Sequence, residues 1–201
     1  MANHARGLWG YWGTTAAGEE LTIQATGVGG PSVAVVLEEL IELGVRRAIR
    51  IGTCRALRDD LALGRLVTAG AAIAADGASV SLGAPAQAAP DPALAASLRN
   101  GGDGPAAVTL VSTDLYYDPD GAARHRAWLE QGAAALDMGT AAALTLGRQR
   151  EIAVASALVI STDAGGATLS DEEINVACLE LGRMGARALG AVARQPAEPQ
   201  T

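Results

Sequence analysis

Two glycine-bearing stretches offer residue types that can handle an anion. In Thr26-Gly27-Val28-Gly29-Gly30-Pro31-Ser32 the glycines leave the backbone bare. Pro31 suits a first helical position, where its missing N–H has no intrahelical partner to lose. Free N–H groups at a helix start attract anions, phosphate above all, and Gly29 is placed to offer one. The second stretch is Ile49-Arg50-Ile51-Gly52-Thr53-Cys54. An arginine at the ligand end of a strand can meet phosphate with paired donors. Gly52-Thr53-Cys54 directly after it reads as a tight loop.

The elements that must position these groups lie between and around them. Leu21–Ala25 has strand character. Val33, Val36, Leu37, Leu40 and Ile41 recur at helical spacing, with Glu38, Glu39 and Glu42 on the opposite face. Gly44 suits the end of that helix, and Arg47–Ile51 reads as a second strand. Strand, glycine loop, helix and strand make a segment the size of a βαβ unit. Both glycine loops then fall at strand C-termini, where open α/β sheets bind ligands. A dinucleotide site is excluded on two counts. Ser32 stands where the third glycine of GxGxxG is needed, and Gly52 stands where an acidic residue would hold a ribose.

Composition narrows the function classes further. With 201 residues and 49% hydrophobic side chains, the chain can fill one domain. A net charge of −7 argues against nucleic acid or an anionic membrane as partner. All 15 basic residues are arginine, which excludes a Schiff-base lysine, a pyridoxal-phosphate anchor and a P-loop lysine. Cys54 and Cys178 have neither metal spacing nor a disulfide framework, as in a reduced cytoplasmic protein. No apolar run reaches the ~18 residues of a membrane span, and the opening MANHARGLWGYWG has no signal-peptide core.

Along the chain, Trp9, Tyr11 and Trp12 sit in a strand that turns near Ala17-Gly18. Gly64–Thr68 and Ala71–Ala74 look like strands leading to a turn at Asp76-Gly77. Gly83–Pro105 reads as a surface excursion with one short helix at Pro92–Leu98. Ala107–Val111 is a buried strand delivering Ser112-Thr113-Asp114 to a loop. Helix Gly121–Gln131, strand Ala134–Asp137, helix Gly139–Arg150 and strand Ile152–Ser161 follow. Ile174, Cys178, Leu181, Gly185, Ala188 and Val192 give a last helix one buried stripe, begun by Ser170–Glu173. The expectation is a single α/β domain over residues 1–195, a mixed central β-sheet flanked by helices, with a loose tail at 196–201.

Five motifs in order resemble the nucleoside phosphorylase family that includes purine nucleoside and uridine phosphorylases. They are Thr26–Ser32, Ile49–Cys54, Ser112–Tyr117 (STDLYY), Leu136–Thr140 (LDMGT) and Val159–Asp163 (VISTD). The resemblance implies phosphorolysis of a nucleoside to free base and ribose 1-phosphate, with inorganic phosphate as co-substrate and no cofactor or metal. It implies Gly29, Arg50 and Thr53 as phosphate ligands, with Arg6 reaching a neighbouring subunit's phosphate site. Tyr116 takes the place of the aromatic that stacks on the base, and Met138 that of the methionine against the ribose. Cys54 and Asp137 are the remaining nucleoside-site positions. Asp163 resembles the aspartate that protonates the leaving base, a role needing a protonated carboxyl. Such sites borrow residues between subunits, which implies a homo-oligomer, either a dimer or a hexamer built as a trimer of dimers.

Three departures separate this sequence from the family pattern. Gly139 stands where the family has the glutamate that holds the ribose hydroxyls. Arg55 replaces the glycine that lets the backbone meet the base. The family's G-D-P-x-R loop is not found among these residues, as in a member shortened at its N-terminus. The Gln and Arg of uridine-specific members are not evident in Asp118–Arg126, which tilts the expectation to purines. Two rival expectations stand beside phosphorolysis: a nucleosidase using water, and a silent nucleoside-binding or structural relative with impaired chemistry.

Overall fold

The computed structural model describes residues 5–15, 18–99 and 104–193. A hairpin of β1 (Gly10–Thr14) and β2 (Glu20–Gln24) precedes α1 (Gly30–Glu42) and β3 (Arg47–Ala56). Then come β4 (Leu66–Ala75), α2 (Gly77–Ser81), β5 (Gln87–Ala88), α3 (Pro92–Arg99) and β6 (Ala106–Thr113). The described residues end with α4 (Gly121–Glu130), β7 (Ala135–Asp137), α5 (Thr140–Gln149), β8 (Ala153–Thr162) and α6 (Asp171–Ala193). The tail expected at 196–201 lies outside the described residues, as does Ala17 of the expected hairpin turn.

Six strands form one mixed sheet in the order β5-β4-β6-β7-β3-β8, and β4 also pairs with β8. β4 runs parallel to β6 along one edge. Its other edge is shared, with Leu66–Thr68 antiparallel to Ala157–Val159 of β8 and Ala72–Ile73 antiparallel to β5. The sheet thus closes on itself. This is the expected single α/β domain with helices flanking a mixed sheet.

β8 shows why the closure is stable. Leu158 and Ile160 enter one core with Val33 and Leu37 of α1 and Leu144 and Leu146 of α5. Ala155, Ala157 and Val159, of opposite parity, enter a second core with Leu94 and Leu98 of α3 and Leu181 of α6. A strand buried on both faces reads as a continuous apolar run, which Ala153–Ile160 does, Ser156 aside. α5 is buried from Thr140 through Gly147. Gly147 allows this approach: a Cβ there would overlap the Val154 side chain.

Several expectations need correction. Among the described residues, the strand expected at Leu21–Ala25 pairs only with β1, so no βαβ unit joins it to β3 in one sheet. Gly52-Thr53-Cys54 is not a loop. It continues β3, paired in parallel with Leu158–Ile160. Gly64–Thr68 and Ala71–Ala74 merge into β4, whose register against β6 shifts between Ala69 and Ala71 at a bulge around Gly70. Asp76 caps α2 by accepting from the Ser79 N–H at 2.8 Å, so the turn signal marks a helix start. Ser112 and Thr113 belong to β6, not to the loop after it.

Candidate active site

The C-terminal ends of β3, β7 and β8 meet the loop before α1 and the loop after β6 around a cleft of about 230 Å³. Gly29, Arg50, Thr53, Cys54, Tyr116, Asp137 and Met138 all line it. Arg6 and Asp163 are not among its lining residues.

The glycine loop is shaped for its place. Gly29 caps α1 at φ +87° and Gly27 stands at φ +72°, both in the region that favours glycine. The Ser32 hydroxyl donates to the Thr26 carbonyl and ties the loop across its base. Behind it, a Cβ on Gly30 would meet the Asp76 carboxylate at 2.5 Å, so the start of α1 packs directly on the cap of α2.

Arg50 is the most constrained cation of the cleft. Its guanidinium lies 3.8–3.9 Å from where a Gly52 Cβ would stand, so the glycine leaves it room to lie along β3. Nη1 is 2.9 Å from Asp137 Oδ2 and donates to Thr140 Oγ1 at 3.2 Å. Nε is buried without a partner. Asp137 is saturated by protein donors. Its Oδ1 accepts from the Ser112 hydroxyl at 2.6 Å, and its Oδ2 from the Thr140 N–H at 3.0 Å and hydroxyl at 2.7 Å. Ser156 adds a hydroxyl contact to Thr140 at 3.2 Å. A carboxylate at the start of α5 also complements the helix dipole. Asp137 therefore holds Arg50 and caps α5, and its oxygens are not open to a ribose. That corrects the expected nucleoside contact.

Other expected residues divide. The Cys54 thiol is buried and donates to the Val159 carbonyl at 3.5 Å; burial, then the nearby Asp137 charge, pushes its pKa up, which keeps it neutral. Tyr116 is 59% exposed at the cleft mouth, edge-on to Tyr117 with ring centroids 4.8 Å apart. Asp163 closes a turn instead of facing the cleft: its Oδ1 accepts from the Ala167 N–H at 2.8 Å, and its backbone pairs with Ala167. Ser161 and Thr162, just before it, line the cleft in its stead. Arg6 pairs with Glu39 of α1 on the exposed surface. Ser112, Thr140 and Ser156 were missed by sequence reasoning. No local signal marks them: Asp137, their common partner, lies two residues before the α5 N-cap, Gly139.

Arg55 also lines the cleft. The pairing of β3 with β8 shifts register between Cys54 and Arg55, and bulges of this kind re-aim a side chain. Gly139 is buried beside Arg50, and a Cβ there would stand 2.9 Å from Val33 Cγ2 and 3.5 Å from Arg50 Nε. Among the described residues, no cluster of three or more His, Cys, Asp or Glu is placed to hold a metal ion. None of their helices is long and apolar enough to cross a membrane.

Comparison with known proteins identifies the family of the chain. The chain matches the Phosphorylase superfamily over residues 3–193 and belongs to that family. The purine nucleoside phosphorylase DeoD-type of Alkaliphilus metalliredigens is 29% identical over 187 residues, covering 86% of this chain and 77% of that protein. The protein of the same name from Caldanaerobacter subterraneus is 30% identical over 183 residues, covering 85% and 76%. The crystal structure of uridine phosphorylase from Vibrio fischeri superposes with a TM-score of 0.80 at 27% identity, covering 94% of this chain and 80% of that one.

Proposed function

We propose that this chain cleaves a purine nucleoside with phosphate, giving free base and ribose 1-phosphate, at a reduced rate. One observation carries the reading: a preorganised Arg50, fixed by Asp137 and Thr140, shares a cleft with a glycine loop at a helix N-terminus. Phosphate takes the open donors of Arg50, the Gly29 N–H and the Thr53 hydroxyl. A phosphate oxygen then bonds to the anomeric carbon as the bond to the base breaks, and the electron pair leaves with the base. Donors already in place cost no reorganisation during that step. Met138 packs on the ribose and Tyr116 on the base.

Two features make the site slow. Gly139 brings no carboxylate to the ribose hydroxyls. Asp163 is held in a turn by the Ala167 N–H and does not line the cleft, so it must reorient to protonate the leaving base. Binding without turnover is the second reading, and Gly139 favours it. The exposed Trp9, Tyr11, Trp12 and Ile23 of the β1–β2 hairpin support a homo-oligomer, dimer or trimer of dimers, with Arg6 turned to a neighbour. A monomer in light scattering at micromolar concentration would remove that part. A cytoplasmic location goes with the same reading.

The deciding experiment measures base release from a nucleoside panel with and without phosphate. Release that requires phosphate is the expected result. Release without phosphate would make the protein a nucleosidase, and no release would leave it a binding protein.

A further inference from the structure

We propose that Arg55 makes the cleft selective for 6-oxopurine bases over 6-aminopurines, an inference that rests on the nucleoside reading above. Among the described residues, no hydrogen bond or ion pair engages the Arg55 guanidinium, and its Nε is buried without a partner. The groups that share its surroundings through His125 do not neutralise it. Asp118 is held by Arg124 at 2.8 Å. His125 of α4 is kept towards its neutral form, first by burial and then by Arg55 itself. A half-buried cation that the protein leaves unmatched is a donor set waiting for an acceptor.

The rest of the cleft wall says which acceptor. Its lining holds no asparagine, glutamine or glutamate. Its one carboxylate, Asp137, is filled by Arg50, Ser112 and Thr140. The lining side chains therefore offer an unmatched arginine and no free carboxylate or amide acceptor to the base. A 6-oxopurine presents N7 and O6 side by side, two acceptors at the spacing of an arginine fork. A 6-aminopurine presents N7 beside an amino group, which would turn its hydrogens on the guanidinium. The bulge after Cys54 brings Arg55 to the same cleft as Tyr116, so one ring can stack on the tyrosine while its edge meets the arginine.

The test compares kcat/KM for inosine and adenosine in the wild-type chain, Arg55→Ala and Arg55→Lys. The expected result is a wild-type preference for inosine of about ten- to a hundredfold. That preference should collapse towards unity in Arg55→Ala. It should recover only in part in Arg55→Lys, which keeps the charge but not the fork. A preference unchanged in Arg55→Ala would overturn the proposal, as would a wild-type preference for adenosine. If no nucleoside is cleaved, the phosphorolysis reading fails on its own, and calorimetry with hypoxanthine and adenine still tests Arg55. Tighter hypoxanthine binding that is lost in Arg55→Ala supports it. Equal binding of the two bases by the wild-type chain rejects it. Thermal melts confirm that each variant is folded.

Discussion

Arg50 and Arg55 lie on the same strand and line the same cleft, yet the protein treats them differently. Arg50 is fixed by Asp137 and Thr140, and Asp137 is itself held by hydroxyls from β6 and α5. Arg55 has no such frame. A buried charge must be paired and hydrogen-bonded or it destabilises the fold, and the frame around Arg50 also fixes its orientation. Fixed donors suit a small tetrahedral anion that must be held in line for attack. A loosely framed arginine suits a flat ring that can settle against it. Within one cleft, the framing of the two arginines loosens from Arg50 to Arg55.

Breaking the frame should have the largest effect. Asp137→Ala leaves Arg50 without its carboxylate partner and strips the cap from α5, so unfolding free energy should fall by about 3–5 kcal/mol. Urea denaturation measures this, and a midpoint within error of wild type would show that Asp137 is not the anchor. Arg50→Ala keeps most of the frame and removes the anion donor. Phosphate affinity by calorimetry should drop about ten- to a hundredfold, the size of one charge-assisted hydrogen bond. Unchanged affinity would move phosphate elsewhere.

The absence of a side chain at Gly139 allows the comparison to be sharpened in the other direction. A glutamate there needs Val33 to give way, so Gly139→Glu belongs with Val33→Ala. The double variant should raise kcat/KM for a nucleoside by about tenfold through a restored ribose contact. No rise would mean that Arg50, close beside that Cβ, captures the new carboxylate. The smallest effect is at the base end. Removing the cation in Arg55→Ala should move the His125 titration upward in NMR, towards the ordinary value; a midpoint that stays put would separate the two residues. With its folded pKa depressed, His125 is protonated more readily in the unfolded chain. Its contribution therefore favours the folded state above the ordinary pKa of about 6.5 and is lost as pH falls through the window below it. His125→Gln should flatten that part of the stability profile.

The sequence made some of this legible because the signals are local. The Gly27–Pro31 loop, the α1 stripe and the α6 stripe each announce their element within a few residues. Arg50 could be read from its strand and the glycine after it. Gly52 misled, since a glycine that makes room for a guanidinium looks like one that makes a turn. Asp137 was assigned to the ribose because nothing local reveals that Ser112, Thr140 and Arg50, from three other elements, converge on it. For Asp163 the sequence does not show the turn it closes, since a turn residue and a catalytic acid share the same side chain and only the Ala167 contact marks the turn. β2 reads like a strand of the main sheet, since pairing partners are not written in the strand itself.

The closure of β4 onto β8 also governs the order in which this protein can be made. Leu66–Thr68 leave the ribosome long before Ala157–Val159, and until β8 arrives the first third of β4 and the whole length of β3 facing β8 remain open edges. Such non-local pairing slows folding, and unpaired apolar edges invite other chains to add to them. The last strand thus acts as a zipper pull. A nascent chain stalled before β8 would carry two adhesive edges, and completing that one segment removes both at once.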